Sequence, residues 1–163
     1  MGPSLIHHGL EFALYVDKAI PVAQKQNRPL LLDFTGVNCA NCRDMELLMG
    51  QTAWKQRIEK FVGVQLYVDV PQIPTIADAA EGERLQKENV DLQLKLLGDV
   101  TMPHYAVVTP DGQTVLSTFL GKETIPGSFV QFLDDGWTKW EQLQKGGRTV
   151  GTISDRQDFP LSR

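Results

Sequence analysis

The only two cysteines of the chain, Cys39 and Cys42, stand two residues apart in Asp33-Phe34-Thr35-Gly36-Val37-Asn38-Cys39-Ala40-Asn41-Cys42-Arg43. The segment from Leu30 to Phe34 is apolar except for Asp33, the pattern of a central strand buried on both faces. A helix-like pattern follows the cysteines, with Met45, Leu48 and Met49 recurring at helical spacing. Two thiols at the junction of a buried strand and a helix can cycle between dithiol and disulfide within one loop. They can also supply half of a metal site, or sit inert in a core.

At 163 residues, with 42% hydrophobic and 22% charged residues, the chain suits one globular domain whose core needs no disulfide scaffold. A net charge of −4 and the lack of any Lys/Arg cluster argue against nucleic acid as a partner. The apolar runs are far shorter than a membrane span, and no signal peptide pattern opens the chain. Residues 1–16 read as an N-terminal extension, with Met1-Gly2-Pro3-Ser4 resembling a cloning scar, so composition leaves the compartment open.

Asp17 reads as the N-cap of a helix over 18–26, ended by Arg28-Pro29. Beyond the cysteines, Gly50 and Thr52 predict a break before a second helical stretch carrying Ile58, Phe61 and Val62, with Gly63 as its cap. Val64 to Val70 predicts a second strand, and residues 71–91, rich in proline and acidic residues, a solvated insertion carrying some helix. A short helix is expected over 91–97 and a third strand over 105–108. The turn Pro110-Asp111-Gly112 then leads to a fourth strand over 114–120. A final amphipathic helix places Phe129, Phe132, Leu133, Trp140 and Leu143 on one side, and 146–163 reads as a loose tail. A further strand around Leu10 to Leu14 has only weak support. This order implies a mixed sheet with helices on both faces.

A buried strand, a Cys-x-x-Cys opening a helix and the Met102-Pro103 step before the third strand together resemble the thioredoxin-like proteins. Asp33 lies where thioredoxins carry a buried aspartate, and Met102-Pro103 where they carry a cis-proline. A narrower resemblance, over roughly residues 17–135, is to the C-terminal thioredoxin-like domain of DsbD-type thiol:disulfide interchange (cytochrome c biogenesis) proteins. It rests on Asp33-Phe34-Thr35-Gly36, Asn41-Cys42-Arg43, Met45-Glu46, and Leu66-Tyr67-Val68-Asp69 before the acidic insertion. The resemblance implies an α/β fold, a three-layer α/β/α arrangement around a central mixed sheet, as one domain over 17–145 with the insertion at 71–91. It also implies a protein-disulfide reductase, needing no cofactor and no resident metal. Such a reductase takes electrons from a membrane-embedded dithiol and passes them to oxidised proteins in the periplasm or another extracytoplasmic space, the fragment itself spanning no membrane. Three departures leave the potential and the direction of electron flow open. Ala40-Asn41 replaces Gly-Pro between the cysteines, Asn38 replaces a tryptophan, and Gln65 stands where a lysine neighbours the aspartate.

On this frame Cys39, at the helix start, is the expected nucleophile, since unpaired N–H groups and the helix dipole favour a thiolate there. Cys42, one turn inside, is the resolving thiol, and Arg43 is expected to point to solvent. Asp33 in an apolar strand has a raised pKa and suits a proton acceptor for Cys42; the alternative is a strand-end carboxylate facing water. A cis Pro103 would bring the Met102 backbone beside Cys39 to pair with an extended substrate, and the Met102 thioether suits varied substrates. The competing reading is a binding module whose thiols take Cu(I) or Zn²⁺ with His7, His8 or His104. Otherwise His104 reads as a sheet-edge residue. A disulfide oxidase or isomerase stays open within the redox reading.

Overall fold

The computed structural model describes residues 1–153, with side chains through residue 146. Six strands form one sheet: β1 (Ser4–His7), β2 (Leu10–Ala13), β3 (Leu30–Thr35), β4 (Val62–Tyr67), β5 (His104–Val108) and β6 (Val115–Leu120). The helices are α1 (Val16–Gln26), α2 (Ala40–Leu48), α3 (Thr52–Ile58), α4 (Ala79–Leu97) and α5 (Ser128–Ile153). The strand order is β1-β2-β4-β3-β5-β6, with β3 parallel to β4 and antiparallel to β5.

Strand β3 occupies the middle, and every residue in it is buried. Its side chains alternate between two cores, as a pleated strand requires. Leu30, Leu32 and Phe34 join Val64, Leu66 and Ala106 on one face, where Ala19 and Ala23 of α1 and Val90 and Leu97 of α4 pack. Leu31 faces the other way, onto Met45 of α2, Met49 at its C-cap, Trp54 of α3 and Phe129 of α5, with Trp54 stacked on Phe129 at 4.4 Å between ring centroids. Asp33, two residues after Leu31, lies on this second face. The α/β expectation and the three layers are met, and no helix among the described residues is long and apolar enough to cross a membrane.

Several local expectations are corrected. Residues expected as an extension build β1 and β2, a hairpin whose second strand runs parallel to β4. The N-cap of α1 is Tyr15; Asp17 sits in the first turn, where its charge complements the dipole. Asn27, left-handed at φ 53°, closes that helix. Helix α3 stops at Ile58, Val62 already belongs to β4, and Gly63 caps nothing. A Cβ on Gly63 would lie 2.7 Å from the Phe12 ring, so the glycine is what lets β2 approach β4. The acidic segment is no loose insertion over its second half: α4 is a single 19-residue helix, capped by Asp78 and docked through Leu85, Asn89 and Gln93. On α5, Phe129, Phe132 and Leu133 are buried but Leu143 is 48% exposed. The helix continues past the expected start of the tail to Ile153, and residues 154–163 lie outside the described residues.

Candidate functional site

Between β3 and α2 the chain turns through Gly36-Val37-Asn38 into Cys39, and a carboxylate from the neighbouring strand shapes that turn. Asp69, just past β4, accepts the backbone N–H groups of Val37 (2.9 Å) and Asn38 (2.8 Å) through its two oxygens, and that of Val70 as well (2.9 Å). A Cβ on Gly36 would fall 2.7 Å from the Asp69 carboxyl and 2.5 Å from the Met102 Sδ, so only glycine fits where these groups converge.

Cys39 is the N-cap of α2, with extended backbone (φ −127°, ψ 101°), and its Sγ accepts the Cys42 N–H at 3.1 Å. The two cysteines form a disulfide, Cα to Cα 5.2 Å. Cys42 is 2% exposed, whereas Cys39 is only half-buried. An incoming thiol or disulfide therefore meets Cys39 first, and once the bond is reduced the N-terminus of α2 stabilises a thiolate on that sulfur.

Beneath α2 lies Asp33, 1% exposed. Its Oδ2 accepts Gln65 Nε2 at 3.0 Å, and its Oδ1 has no partner. Burial pushes its pKa up from 3.8 to about 7; the Gln65 hydrogen bond and Arg43 pull down, and the nearby Glu46 carboxylate pushes up. Gln65, the register partner of Asp33 on β4, also donates to Glu46 Oε2 (3.0 Å) and accepts at Oε1 from His7 Nε2 (2.8 Å). Arg43, expected in solvent, turns inward. Its Nη2 donates to Gly36 O (2.9 Å), Thr35 Oγ1 (3.2 Å) and Glu46 Oε2 (3.1 Å), because the β3–α2 turn leaves that carbonyl and hydroxyl open. Burial holds the Tyr67 phenol at about 12 and Tyr105 well above its ordinary value, so both stay protonated around this cluster.

The Met102–Pro103 peptide is cis. The Pro103 carbonyl accepts the Gly121 N–H (2.8 Å), and Met102 packs over Gly36, so this step and the cysteine turn are neighbours. His104 is neither at a sheet edge nor turned to the thiols. It lies on β5, between β3 and β6, with Nδ1 3.1 Å from Asp99 Oδ1. Among the described residues no three His, Cys, Asp or Glu side chains gather as a metal-ligand set.

A family of thioredoxin-like domains matches residues 16–136. The chain belongs to the thioredoxin-like family. Among solved structures, a protein described as DsbH oxidoreductase aligns with TM-score 0.60 at 18% identity, covering 79% of this chain and 85% of its own. A thioredoxin from Thermus thermophilus aligns with TM-score 0.48 at 16% identity, covering 91% of this chain and 95% of its own. No curated protein matches.

The thioredoxin-like frame thus brings Cys39, Cys42, Asp33, Met102 and Pro103 to one end of the sheet. Sequence reasoning missed the polar groups that tie them together. Glu46 and Asp69 stood inside quoted motifs but carried no spacing that points to a partner. His7 reads from the sequence as a terminal histidine and a candidate metal ligand, not as a partner of Gln65.

Proposed function

We propose that the protein is a thiol:disulfide oxidoreductase acting as a protein-disulfide reductase. The observation that carries this reading is half-buried Cys39 at the N-cap of α2, with a buried carboxylate that has one unpartnered oxygen on β3, the strand leading into that turn. In the reduced protein, the Cys39 thiolate attacks one sulfur of a substrate disulfide; a Cys39–substrate S–S bond forms and the substrate's own S–S bond breaks, its leaving sulfur taking a proton from water. Cys42 then gives its proton to Asp33, and its thiolate attacks Cys39 Sγ. The Cys39–Cys42 bond forms, the Cys39–substrate bond breaks, and the departing sulfur takes a proton from water, so the substrate leaves as a dithiol and two electrons pass from protein to substrate. An acceptor with a pKa of about 7 suits this step, because it takes the proton near neutral pH and returns it readily. Met102 and Pro103, beside the cysteine turn, offer the backbone edge for an extended substrate segment.

By resemblance to the DsbD-type domain, the partners are oxidised proteins outside the cytoplasm, and the donor is a membrane-embedded dithiol. Cys39→Ser abolishes reduction of insulin disulfides, and Cys42→Ser accumulates mixed disulfides; full activity in the Cys39→Ser protein refutes the assignment. Direction is read from the reduction potential, expected near the thioredoxin value of about −270 mV and not near the oxidase value of about −120 mV.

A further inference from the structure

We infer that His7 is a positioning residue of the redox site: from the N-terminal hairpin it fixes the Gln65 amide so that its NH₂ group faces Asp33 and Glu46. Gln65 is completely buried, with Nε2 3.0 Å from Asp33 Oδ2 and 3.0 Å from Glu46 Oε2. Ionised carboxylates only accept hydrogen bonds, so with Asp33 ionised the amide must turn its NH₂ toward them. Its oxygen then needs a donor, and His7 Nε2 at 2.8 Å supplies it, which places the proton of the imidazole on Nε2. Without that donor the buried oxygen is orphaned, and rotation of the amide would set it against two carboxylates.

The hairpin turn is itself anchored on the helix that carries the cysteines. His8 Nε2 lies 3.1 Å from the backbone carbonyl of Glu46, and a Cβ on Gly50 would come 2.8 Å from His8 Nδ1. Both histidines therefore register on Glu46 of α2, His8 on its backbone carbonyl and His7 through Gln65, which donates to its side chain. They lie outside residues 16–136, the span matched by the thioredoxin-like family.

The inference rests on Asp33 as the proton acceptor for Cys42. The groups facing Asp33 are Glu46 and Arg43 from α2, Gln65 and Tyr67 from β4, Tyr105 from β5 and, through Gln65, His7 from β1. The Gln65 hydrogen bond is the largest of the influences holding the acidity of Asp33 up against burial. Freeing the amide weakens it, so Asp33 ionises at higher pH.

The test uses the full, reduced chain and a small-molecule disulfide at saturating concentration, where attack by Cys42 limits the plateau rate in stopped flow. His7→Phe keeps the ring contact with Phe12 (5.8 Å between centroids) but removes the donor. Its plateau rate is expected to reach half-maximum about half a pH unit or more above wild type, the effect of losing most of one hydrogen bond to a carboxylate. His7→Gln, which restores a donor at similar reach, returns the midpoint to the wild-type value. Asp33→Asn serves as the reference and removes the titration. If Asp33→Asn removes it while His7→Phe overlays wild type, the positioning role is refuted and that of Asp33 stands. A shift that His7→Gln fails to correct marks lost packing and also refutes it. If Asp33→Asn keeps the wild-type profile, the acceptor assignment itself falls, and this inference with it.

Discussion

Replacing Asp33 by Asn should stabilise the oxidised protein at alkaline pH and do little at acid pH. The carboxyl has an ordinary pKa of 3.8, and burial carries it to about 7 in the folded chain. A raised folded-state pKa means that the native state binds the proton more tightly than the unfolded chain. The stability linked to it is fully present below about pH 4 and drains away as pH rises to about 7, at about 1.4 kcal/mol per pH unit. Across that window the wild type loses about 4 kcal/mol relative to a neutral residue at the same place. Asn keeps an oxygen for the Gln65 Nε2 donor and puts its own NH₂ where Oδ1 already lacks a partner. Against the protonated acid the exchange of polar groups is thus nearly even, and the two proteins should be of similar stability near pH 4.

Urea unfolding of both proteins, with the disulfide intact, measures this directly. With a urea slope of about 2 kcal/mol/M, reasonable for a domain of this size, the Asn variant should gain about 2 M in midpoint between pH 4 and pH 8. The gain should level off above pH 7. Parallel stability curves for the two proteins over that range would refute the placement of a strongly raised, buried carboxyl beneath α2. The same variant should slow the resolving step of disulfide exchange while leaving alkylation of Cys39 close to the wild-type rate.

Two further substitutions test how the cysteine turn is held. Asp69→Ala removes the acceptor from three backbone N–H groups; with the turn partly open to water, the cost is expected at about 2 kcal/mol in a denaturant titration. An unchanged midpoint would show that water replaces the carboxylate fully. Gly36→Ala forces a methyl group to within 2.7 Å of the Asp69 carboxyl and 2.5 Å of the Met102 Sδ, and should destabilise by about 1–3 kcal/mol. Adding Met102→Ala should recover only part of that, since Asp69 is tied to the backbone and cannot retreat; complete recovery would assign the whole conflict to the thioether.

What was legible in the sequence was local. Strand β3 announces itself by an apolar run interrupted only by Asp33 before Thr35, and the cysteines by their spacing and the helical period that follows. Apart from Arg43–Glu46 and the Gln65–Asp33 neighbourhood that the thioredoxin resemblance implies, the polar framework could not be read in that way, because its links join residues far apart in the chain. Gln65 and Asp33 are separated by 32 positions, Glu46 and Gln65 by 19, His7 and Gln65 by 58. Of hairpin β1–β2 only the second strand was legible, as the weakly supported strand around Leu10 to Leu14, for a related reason. Its strands are four residues each, partly polar and partly exposed, too short to show a period; what secures them is pairing with β4 across Gly63. The boundary of α3 failed because Phe61 and Val62 fall at helical spacing from Ile58 yet pack from a turn and a strand.

Gln65 is where those links meet, and its neutrality decides the acidity of the site. A cation at that position would attract the Asp33 carboxylate and lower its pKa toward the ordinary range. An amide carries no charge and offers Asp33 only a hydrogen bond, and here it shares its one NH₂ group between Asp33 and Glu46. The Arg43 guanidinium is engaged with Gly36, Thr35 and Glu46, none of its bonds reaching Asp33. Desolvation is therefore opposed only weakly, and Asp33 rests at about 7. Gln65, one of the three departures from the thioredoxin pattern, is thus a neutral neighbour that leaves the buried Asp33 carboxyl near neutrality.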